Sequence, residues 1–189
     1  MEVAISLGRC SLARLSVAEL CLVHGISRTA RSPLARCFAI ALSRLGNGWL
    51  YLVLGAGCLL AVGVSAVPVL TAGLLNALVL HCMYPLIKRR VARPRPYQSD
   101  PTLVPLLRVL DQHSFPSGHA MTLPAALVPL VLQFPQTIAL ASATCLLMAW
   151  SRLASAHHYP SDVAAGTVLG FSVSYPISVC VLATSHPVA

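Results

Sequence analysis

Two long stretches of the chain contain no charged residue, from Leu45 to Ile87 and from Gln112 to Ser151. A helix that crosses the hydrocarbon core of a bilayer needs about 20 mainly apolar residues, so each stretch has room for two spans. A further apolar segment follows Asp162. Backbone inside lipid must satisfy its own hydrogen bonds, which favours helices. The pattern predicts five transmembrane helices: Trp49–Val67, Val69–Ile87, His119–Phe134, Thr137–Trp150 and Val163–Ala183.

Turn residues separate the members of each pair. Gly63 to Pro68 divides the first two predicted spans, and Gln133 to Gln136 divides the third from the fourth. Pro124, Pro129 and Pro176 fall inside spans, where neighbouring helices tolerate them with local kinks.

The N-terminal part of the chain has a different pattern. Charged residues recur among Leu, Val and Ala over residues 2–44, too often for a span. We expect one or two amphipathic helices on the membrane surface, with breaks near Gly25 and Pro33. The whole chain is then one membrane-embedded domain over 1–189, with an amphipathic region 1–48 and a transmembrane core 49–183. The charged positions are Glu2, Arg9, Arg14, Glu19, Arg28, Arg31, Arg36 and Arg44.

Composition agrees with a membrane location. Only 10% of the 189 residues are charged, against about 25% in soluble domains, and the mean hydropathy is +0.77. The net charge is +8, but the basic residues flank membrane segments. They indicate lipid headgroup or phosphate partners, and no nucleic-acid partner is expected. The seven cysteines form no CxxC pair and are interpreted as small apolar helix residues.

Three polar motifs lie at the ends of the predicted spans. Lys88 and Arg95-Pro96 form K-x6-R-P, Pro116 to His119 forms P-S-G-H, and Ser151 to Asp162 forms S-R-x5-H-x3-D. Because the second span ends at the first motif, the third begins at the second motif and the last motif joins two spans, alternating crossings place all three on one membrane face.

These residue types suit a phosphate group. Phosphoryl transfer depends mainly on positioning and electrostatic stabilisation of negatively charged oxygens. Arg offers a planar fork to phosphate, and Lys offers a point charge. Ser117 and Gly118 open the third predicted span, so their backbone N–H groups and the Ser117 hydroxyl can point at an anion bound there.

Together the motifs resemble the three-part signature of the type 2 phosphatidic acid phosphatase family, which also includes vanadium haloperoxidases. The resemblance implies an α-helical bundle and assigns Lys88, Arg95 and Arg152 to the phosphate. It implies that His158 is the nucleophile and forms a phosphohistidine. Asp162 would then orient the His158 ring, and His119 would act as general acid and base.

Spacing resolves two local ambiguities. His158, rather than His157, has the required gaps to both Arg152 and Asp162, and Arg95, rather than Arg93, fits K-x6-R-P. Arg93 and His157 remain possible supporting contacts around the site.

Four other polar residues have no place in the motifs. His81 is expected to pack inside the bundle and Asn76 to form an interhelical hydrogen bond. Asp111 and His113 precede P-S-G-H and could line the mouth of the site.

Acidic residues number only five, and no carboxylate cluster of the kind that holds Mg²⁺ is present. We therefore expect no metal and no cofactor. The predicted function is hydrolysis of a lipid phosphate or diphosphate. The chain is similar to short bacterial members that include undecaprenyl diphosphate phosphatases, so that substrate is favoured. Phosphatidic acid, phosphatidylglycerol phosphate, lipid A phosphates and sphingoid phosphates are alternatives, and the oligomeric state is left open.

Two other classes of function are compatible with such an anion site. A vanadate-dependent haloperoxidase would use the same anion cradle, but those relatives are soluble. A non-catalytic lipid-binding protein is disfavoured by the intact set of Lys, Arg, His and Asp.

The membrane side is ambiguous. With five spans, all 13 basic residues fall on the face of the motifs, which the positive-inside rule would place in the cytoplasm. The resemblance implies the periplasmic or luminal face, and we expect the periplasmic face of a bacterial inner membrane.

Overall fold

A computed structural model describes residues 17–109 and 111–185 of the chain. These residues form helices joined by turns and loops, with no strand among them, which confirms the predicted all-α class. Three helical stretches are long and apolar enough to cross a membrane. They are Pro33–Ser99, which contains several helices, Pro135–Ala154 and Pro160–Ser185; Gly118–Gln133 is apolar but shorter.

The helices fall where the hydropathy pattern predicts them. The five predicted spans coincide with α3, α4, α6, α7 and α8, and α5 is a single turn within the loop that follows α4. The bounds are α1 17–29, α2 Pro33–Arg44, α3 Leu50–Val62, α4 Val67–Val91, α5 Pro96–Ser99, α6 Gly118–Gln133, α7 Ile138–Ala154 and α8 Pro160–Ser185.

Glycine and proline mark the breaks between helices. A 3-10 turn over Gly63–Ala66 joins α3 to α4, and Gly63 has φ +58°, a backbone angle that glycine adopts at little cost. A second 3-10 turn, Pro135–Thr137, joins α6 to α7. Both predicted turns are confirmed. A kink over Leu45–Trp49, with Gly48 at φ +121°, joins α2 to α3.

The N-terminal breaks are only partly as predicted. Helix α1 continues through Gly25 to residue 29, so the break expected at that glycine is wrong. The break predicted near Pro33 is confirmed: the chain turns just before this residue, and the Ser32 hydroxyl caps α2 by accepting from Ala35 N at 3.2 Å. The predicted charged positions Glu2, Arg9 and Arg14 lie outside the described residues.

The centre of the bundle is the contact of α8 with α6. Small residues recur every fourth position along the buried face of α8, as Gly166, Gly170, Ser174 and Ser178. A Cβ at Gly166 would lie 2.6 Å from the Ser117 carbonyl oxygen. The two backbones therefore pack directly on each other, the arrangement that small residues permit between membrane helices.

A buried amide links three helices in the middle of the bundle. Asn76 of α4 donates to the Ala125 carbonyl of α6 at 3.2 Å and to the Ser178 hydroxyl of α8 at 3.0 Å, so the predicted interhelical bond is confirmed. His81 is exposed and its Nδ1 donates to the Ala77 carbonyl at 2.7 Å. The expectation that His81 packs inside the bundle is therefore wrong, because its own helix satisfies the ring.

Helices α1 and α2 pack against the end of the bundle that carries the motifs. Val23 of α1 is buried against Leu103, Ala156 and Tyr159. Helix α2 lies along α7, where the Ser151 hydroxyl donates to the Ala39 carbonyl at 2.8 Å. The N-terminal helices are thus part of the packed structure around the loops.

Candidate active site

One cavity of about 240 Å³ lies where α4, α6 and α7 end or begin on the same face. All three motifs contribute to its wall, together with the kink after α2 and the loop before α6. The predicted site residues that line it are Lys88, Arg95, Gly118, His119, Arg152, His157 and His158. The other predicted site residues, Ser117, Asp162 and Arg93, do not line the cavity.

His158 lies in the loop between α7 and α8 and is buried. Its Nδ1 is 2.7 Å from the Ser114 carbonyl oxygen, which can only accept, so Nδ1 carries the proton. The lone pair is therefore on Nε2, which lies 3.5 Å from Arg95 Nη1. Burial, and then the positive charges of Arg152 and Arg95, hold the pKa of His158 well below its ordinary value. The ring is neutral at neutral pH.

Asp162 lies close to His158 but does not form the expected direct hydrogen bond. Its Oδ2 is 3.7 Å from His158 Nδ1 and accepts instead from Tyr159 N at 2.8 Å. Its Oδ1 accepts from Arg93 Nη1 at 2.7 Å. The Ser114 carbonyl thus takes the position that the sequence assigned to the Asp162 carboxylate, because the loop before α6 passes beside the ring.

Arg93 extends this group of residues to the N-terminal helix. Its Nη2 donates to Glu19 Oε2 at 2.6 Å, while Glu19 Oε1 accepts from Ser161 N at 2.8 Å. Glu19 was not recognised from the sequence, where a lone acid in an amphipathic helix has no distinguishing signal.

Arg152 is held from two sides. Its Nη2 lies 2.8 Å from His157 Nδ1, and its Nη1 donates to the Ser43 hydroxyl. His157 Nε2 lies 3.0 Å from the Leu107 carbonyl oxygen, so Nε2 carries the proton and Nδ1 accepts from Arg152. Arg152 Nε is buried and has no hydrogen-bond partner among the described residues.

His119 is oriented by the same residue of α2. Its Nε2 donates to the Ser43 carbonyl at 3.0 Å. A Cβ at Gly46 would collide with the His119 ring and lie 2.8 Å from Met148 Cε. Ser43 and Gly46 both fall in the region predicted to lie on the membrane surface, and a serine and a glycine there gave no signal that they would line a site.

The start of α6 differs from the expected anion site in one detail. Ser117 N donates to the Asp162 carbonyl at 3.0 Å, so this N–H group is not free for a ligand. The Ser117 hydroxyl is buried without a hydrogen-bond partner among the described residues. Gly118 lines the cavity, and a Cβ there would lie 2.8 Å from Tyr84 Cε2, so glycine makes room for that ring.

Lys88 and Arg95 share a carboxylate. Asp111 Oδ1 accepts from Lys88 Nζ at 2.6 Å and from Arg95 Nη2 at 2.9 Å, and Oδ2 accepts from the Tyr84 hydroxyl at 2.6 Å. Burial alone raises the pKa of Asp111, but the hydrogen bonds and charge of Lys88 and its other partners outweigh burial and lower it to about 2. From the sequence, Asp111 is expected only to line the mouth of the site. Its carboxylate instead forms ion pairs with Lys88 and Arg95, two of the three cations predicted to bind phosphate.

Known proteins are similar to this chain in sequence or in fold. Decaprenylphosphoryl-5-phosphoribose phosphatase from Mycobacterium tuberculosis, in strains CDC 1551 and H37Rv, is 37% identical over 142 residues, or 74% of this chain. The match spans 65% of that relative, slightly less than two thirds of its length.

Two crystal structures have a similar helical arrangement. The transmembrane PAP2 type phosphatidylglycerolphosphate phosphatase of Bacillus subtilis has a TM-score of 0.69 and 21% identity, covering 93% of this chain and 90% of its own. Aquifex aeolicus LpxE has a TM-score of 0.61 and 22% identity, covering 85% of this chain and 92% of its own. At these identities the likeness concerns the fold, and it agrees with an integral membrane protein.

The family profile covers the three motifs of the cavity, whereas Ser43, Arg44 and Asn47 of its wall precede the matched range. The profile of the PAP2 superfamily matches residues 65–185, a range that contains all three motifs and helices α4 to α8. With the motifs gathered at one cavity of a helical membrane bundle, this match shows that the chain belongs to the PAP2 superfamily.

Proposed function

We propose that the chain is a membrane hydrolase that removes phosphate from a lipid phosphate or diphosphate through a phosphohistidine intermediate. The observation that carries the proposal is a neutral His158 whose Nε2 lone pair shares one cavity with Lys88, Arg95 and Arg152. Arg152 Nε supports it further, because this buried donor lines the cavity, has no partner among the described residues and would be satisfied by a phosphate oxygen.

In the first step, His158 Nε2 attacks phosphorus, a P–N bond forms and the bond from phosphorus to the leaving oxygen breaks. The three cations stabilise the charge on the phosphoryl oxygens. The negative charge of the phosphate bound beside the ring favours protonated His119, which gives its proton to the leaving oxygen. Because His119 Nε2 is bonded to the Ser43 carbonyl, its Nδ1 is the atom that exchanges protons.

In the second step, water replaces the histidine. His119, now neutral, takes a proton from the attacking water, the P–N bond breaks and His158 recovers its Nε2 lone pair. Inorganic phosphate is released and both histidines return to their starting states.

We propose that this chemistry needs no metal ion. Lys88, Arg95 and Arg152 supply positive charge that balances the negative charge of the phosphate. Asp111 is the one carboxylate among the lining residues, and it already accepts hydrogen bonds from Lys88 and Arg95. Activity in excess EDTA is the expected result.

The proposed substrate carries a long apolar tail. A groove of about 230 Å³ lies between α3, α4 and α6 and is lined mostly by apolar side chains. Tyr51 lines this groove, and its hydroxyl donates to Thr122, one turn along α6 from Gly118. A lipid tail in this groove would leave its phosphate near the cavity.

The proposed tail is a polyprenyl chain. The name of the mycobacterial relative indicates a decaprenyl-linked phosphate ester, and the sequence favours undecaprenyl diphosphate. Phosphatidic acid and phosphatidylglycerol phosphate remain alternatives with a different tail and the same phosphate chemistry.

The deciding experiment is phosphate release by purified protein in excess EDTA from four lipids side by side: undecaprenyl diphosphate, decaprenylphosphoryl-5-phosphoribose, phosphatidic acid and phosphatidylglycerol phosphate. Faster release from the polyprenyl lipids supports the proposal. Preference for a glycerolipid would reassign the substrate, and no release from any of the four by folded protein would contradict a lipid phosphatase.

We further propose that the chain acts as one domain in a bacterial inner membrane, with the cavity on the periplasmic face. Thr102 is exposed in the loop between α5 and α6. In a background without the native cysteines, Thr102→Cys should react with an impermeant maleimide in intact cells. Reaction only after lysis would put the cavity in the cytoplasm.

A further inference from the structure

The cavity already contains a negative charge supplied by the chain itself. The Asp111 carboxylate lies between Lys88 and Arg95, and the Tyr84 hydroxyl holds its second oxygen. Two of these three partners are side chains that the proposed mechanism needs for the phosphate.

Exposure distinguishes the carboxylate from the cations beneath it. The Lys88 and Arg95 side chains are 5% and 2% exposed, whereas that of Asp111 is 32% exposed. Buried cations without a counter-charge are costly, so a carboxylate beside Lys88 and Arg95 stabilises them whenever the site contains no ligand. Asp111 belongs to the non-helical loop that precedes α6, where a side-chain rotation toward solvent disturbs no helix.

A carboxylate and a phosphate make the same kind of bond to these donors. Both accept charge-assisted hydrogen bonds from Lys and from the Arg fork, and both carry negative charge. Two anions this close repel each other strongly, so Asp111 and a phosphate cannot both lie on Lys88 and Arg95 without loss of binding energy. The low pKa of Asp111 keeps the carboxylate charged throughout the neutral range.

We infer that Asp111 is a built-in competitor of phosphate, which occupies Lys88 and Arg95 between turnovers and is displaced when the phosphate group of a substrate enters. This inference rests on the proposed function and adds a basis for specificity. A lipid substrate offsets the displacement with the binding of its tail, whereas inorganic phosphate has no tail. Asp111 therefore disfavours free phosphate, including the product, relative to the lipid.

A purely structural role predicts the opposite behaviour. If Asp111 served only to hold Lys88 and Arg95 in position, its removal would disorder the cations and weaken the binding of every anion. The sign of the change in phosphate affinity therefore separates the two roles.

The test compares inorganic phosphate binding to purified wild type and Asp111→Asn by isothermal titration calorimetry. We expect the dissociation constant for phosphate to fall by about tenfold or more in Asp111→Asn. The substitution removes one repulsive unit charge next to the bound phosphate, and repulsion between neighbouring charges is of that order. Asp100→Asn is the matched control: it removes the same charge from a loop carboxylate that binds His24 and Thr102 and does not line the cavity. Its affinity should match that of the wild type.

A second variant tests the same inference if Asp111→Asn does not fold. Tyr84→Phe removes the hydrogen bond to Asp111 Oδ2 without changing any charge, and should shift phosphate affinity in the same direction by a smaller factor. Unchanged or weaker phosphate binding in folded Asp111→Asn would overturn the inference, as would the failure of both proteins to bind phosphate. Phosphate binding is measured without turnover, so its result is independent of the lipid assays. Inactivity toward every lipid would contradict the proposed function, whereas the change in phosphate affinity tests the role of Asp111.

Discussion

At the scale of single residues, the tautomer of His158 decides which nitrogen can react. The Ser114 carbonyl fixes the proton on Nδ1 and leaves Nε2 as the nucleophile near Arg95. His158→Ala should therefore abolish phosphate release while the protein stays folded. Wild type incubated with ³²P-labelled substrate and quenched in alkali should retain acid-labile label, and the variant should retain none.

The neighbouring histidine provides the control for this variant. His157 Nδ1 accepts from Arg152, so its lone pair is not available for attack. His157→Gln keeps an acceptor for Arg152 and should retain measurable turnover and the labelled intermediate. Label in His158→Ala, or its absence only in His157→Gln, would reverse the assignment of the nucleophile.

Arg152 is the cation whose geometry most directly indicates a bound anion, since its Nη atoms are held by Ser43 and His157 while Nε has no partner among the described residues. Arg152→Ala should lower kcat/KM by a factor that corresponds to a loss of roughly 3–4 kcal/mol of transition-state stabilisation. This is the range for removing one key electrostatic donor. Arg89→Ala, at an exposed position on α4, is the matched control and should change kcat/KM little. Equal losses in the two variants would mean that general positive charge matters, rather than the position of Arg152.

At the scale of elements, the kink between α2 and α3 positions the proton-transfer residue. His119 bonds to the Ser43 carbonyl, and Gly46 leaves only enough space for its ring. Gly46→Ala should displace the His119 ring and reduce kcat by about tenfold or more, because small displacements of catalytic groups are costly. The measurement is steady-state phosphate release at saturating substrate.

Gly57→Ala is the control for this substitution. Gly57 lies in α3, and a Cβ there would meet nothing within 4 Å. Alanine also has the higher helix propensity, so this variant should be active and no less stable than the wild type. A Gly46→Ala enzyme with wild-type kcat would show that α2 packs beside the site without positioning His119.

The elements differ in how far the sequence could predict them. Helices α3, α4, α6, α7 and α8 follow from uncharged stretches and turn residues, which are local signals. The direct packing of α8 on α6 was readable in principle from Gly166, Gly170, Ser174 and Ser178 at every fourth position. The place of α2 was not readable, since a few arginines on an apolar helix suit both a membrane surface and the wall of a site.

At the scale of the whole molecule, motif spacing and alternating crossings predicted that three distant segments meet. Lys88, Arg95, His119, Arg152 and His158 do line one cavity. The partners of these residues were beyond the sequence, because they are backbone carbonyls and side chains brought close only by packing. The Ser114 carbonyl beside His158, Ser43 beside His119 and the Asp111 carboxylate on Lys88 are all of this kind.

The gathering of cations around buried histidines also sets how stability depends on pH. Burial, and then the positive charges of Arg152 and Arg95, lower the pKa of His157 to about 3, against about 6.5 in an unfolded chain. Between these values the unfolded state binds a proton that the folded state does not. The free energy of unfolding contributed by His157 is therefore fully present above about pH 6.5 and is lost as the pH falls toward 3, by at most about 1.4 kcal/mol per pH unit.

His157→Gln removes this contribution while keeping an acceptor for Arg152. The apparent melting temperature of wild type in detergent should fall between pH 7 and pH 5, and His157→Gln should show a shallower fall even if it is less stable at pH 7. The remaining slope in the variant is expected from His158, whose pKa is lowered by the same causes. Parallel curves for the two proteins would mean that His157 is protonated in the folded state, which would require an anion beside it that offsets the charge of Arg152.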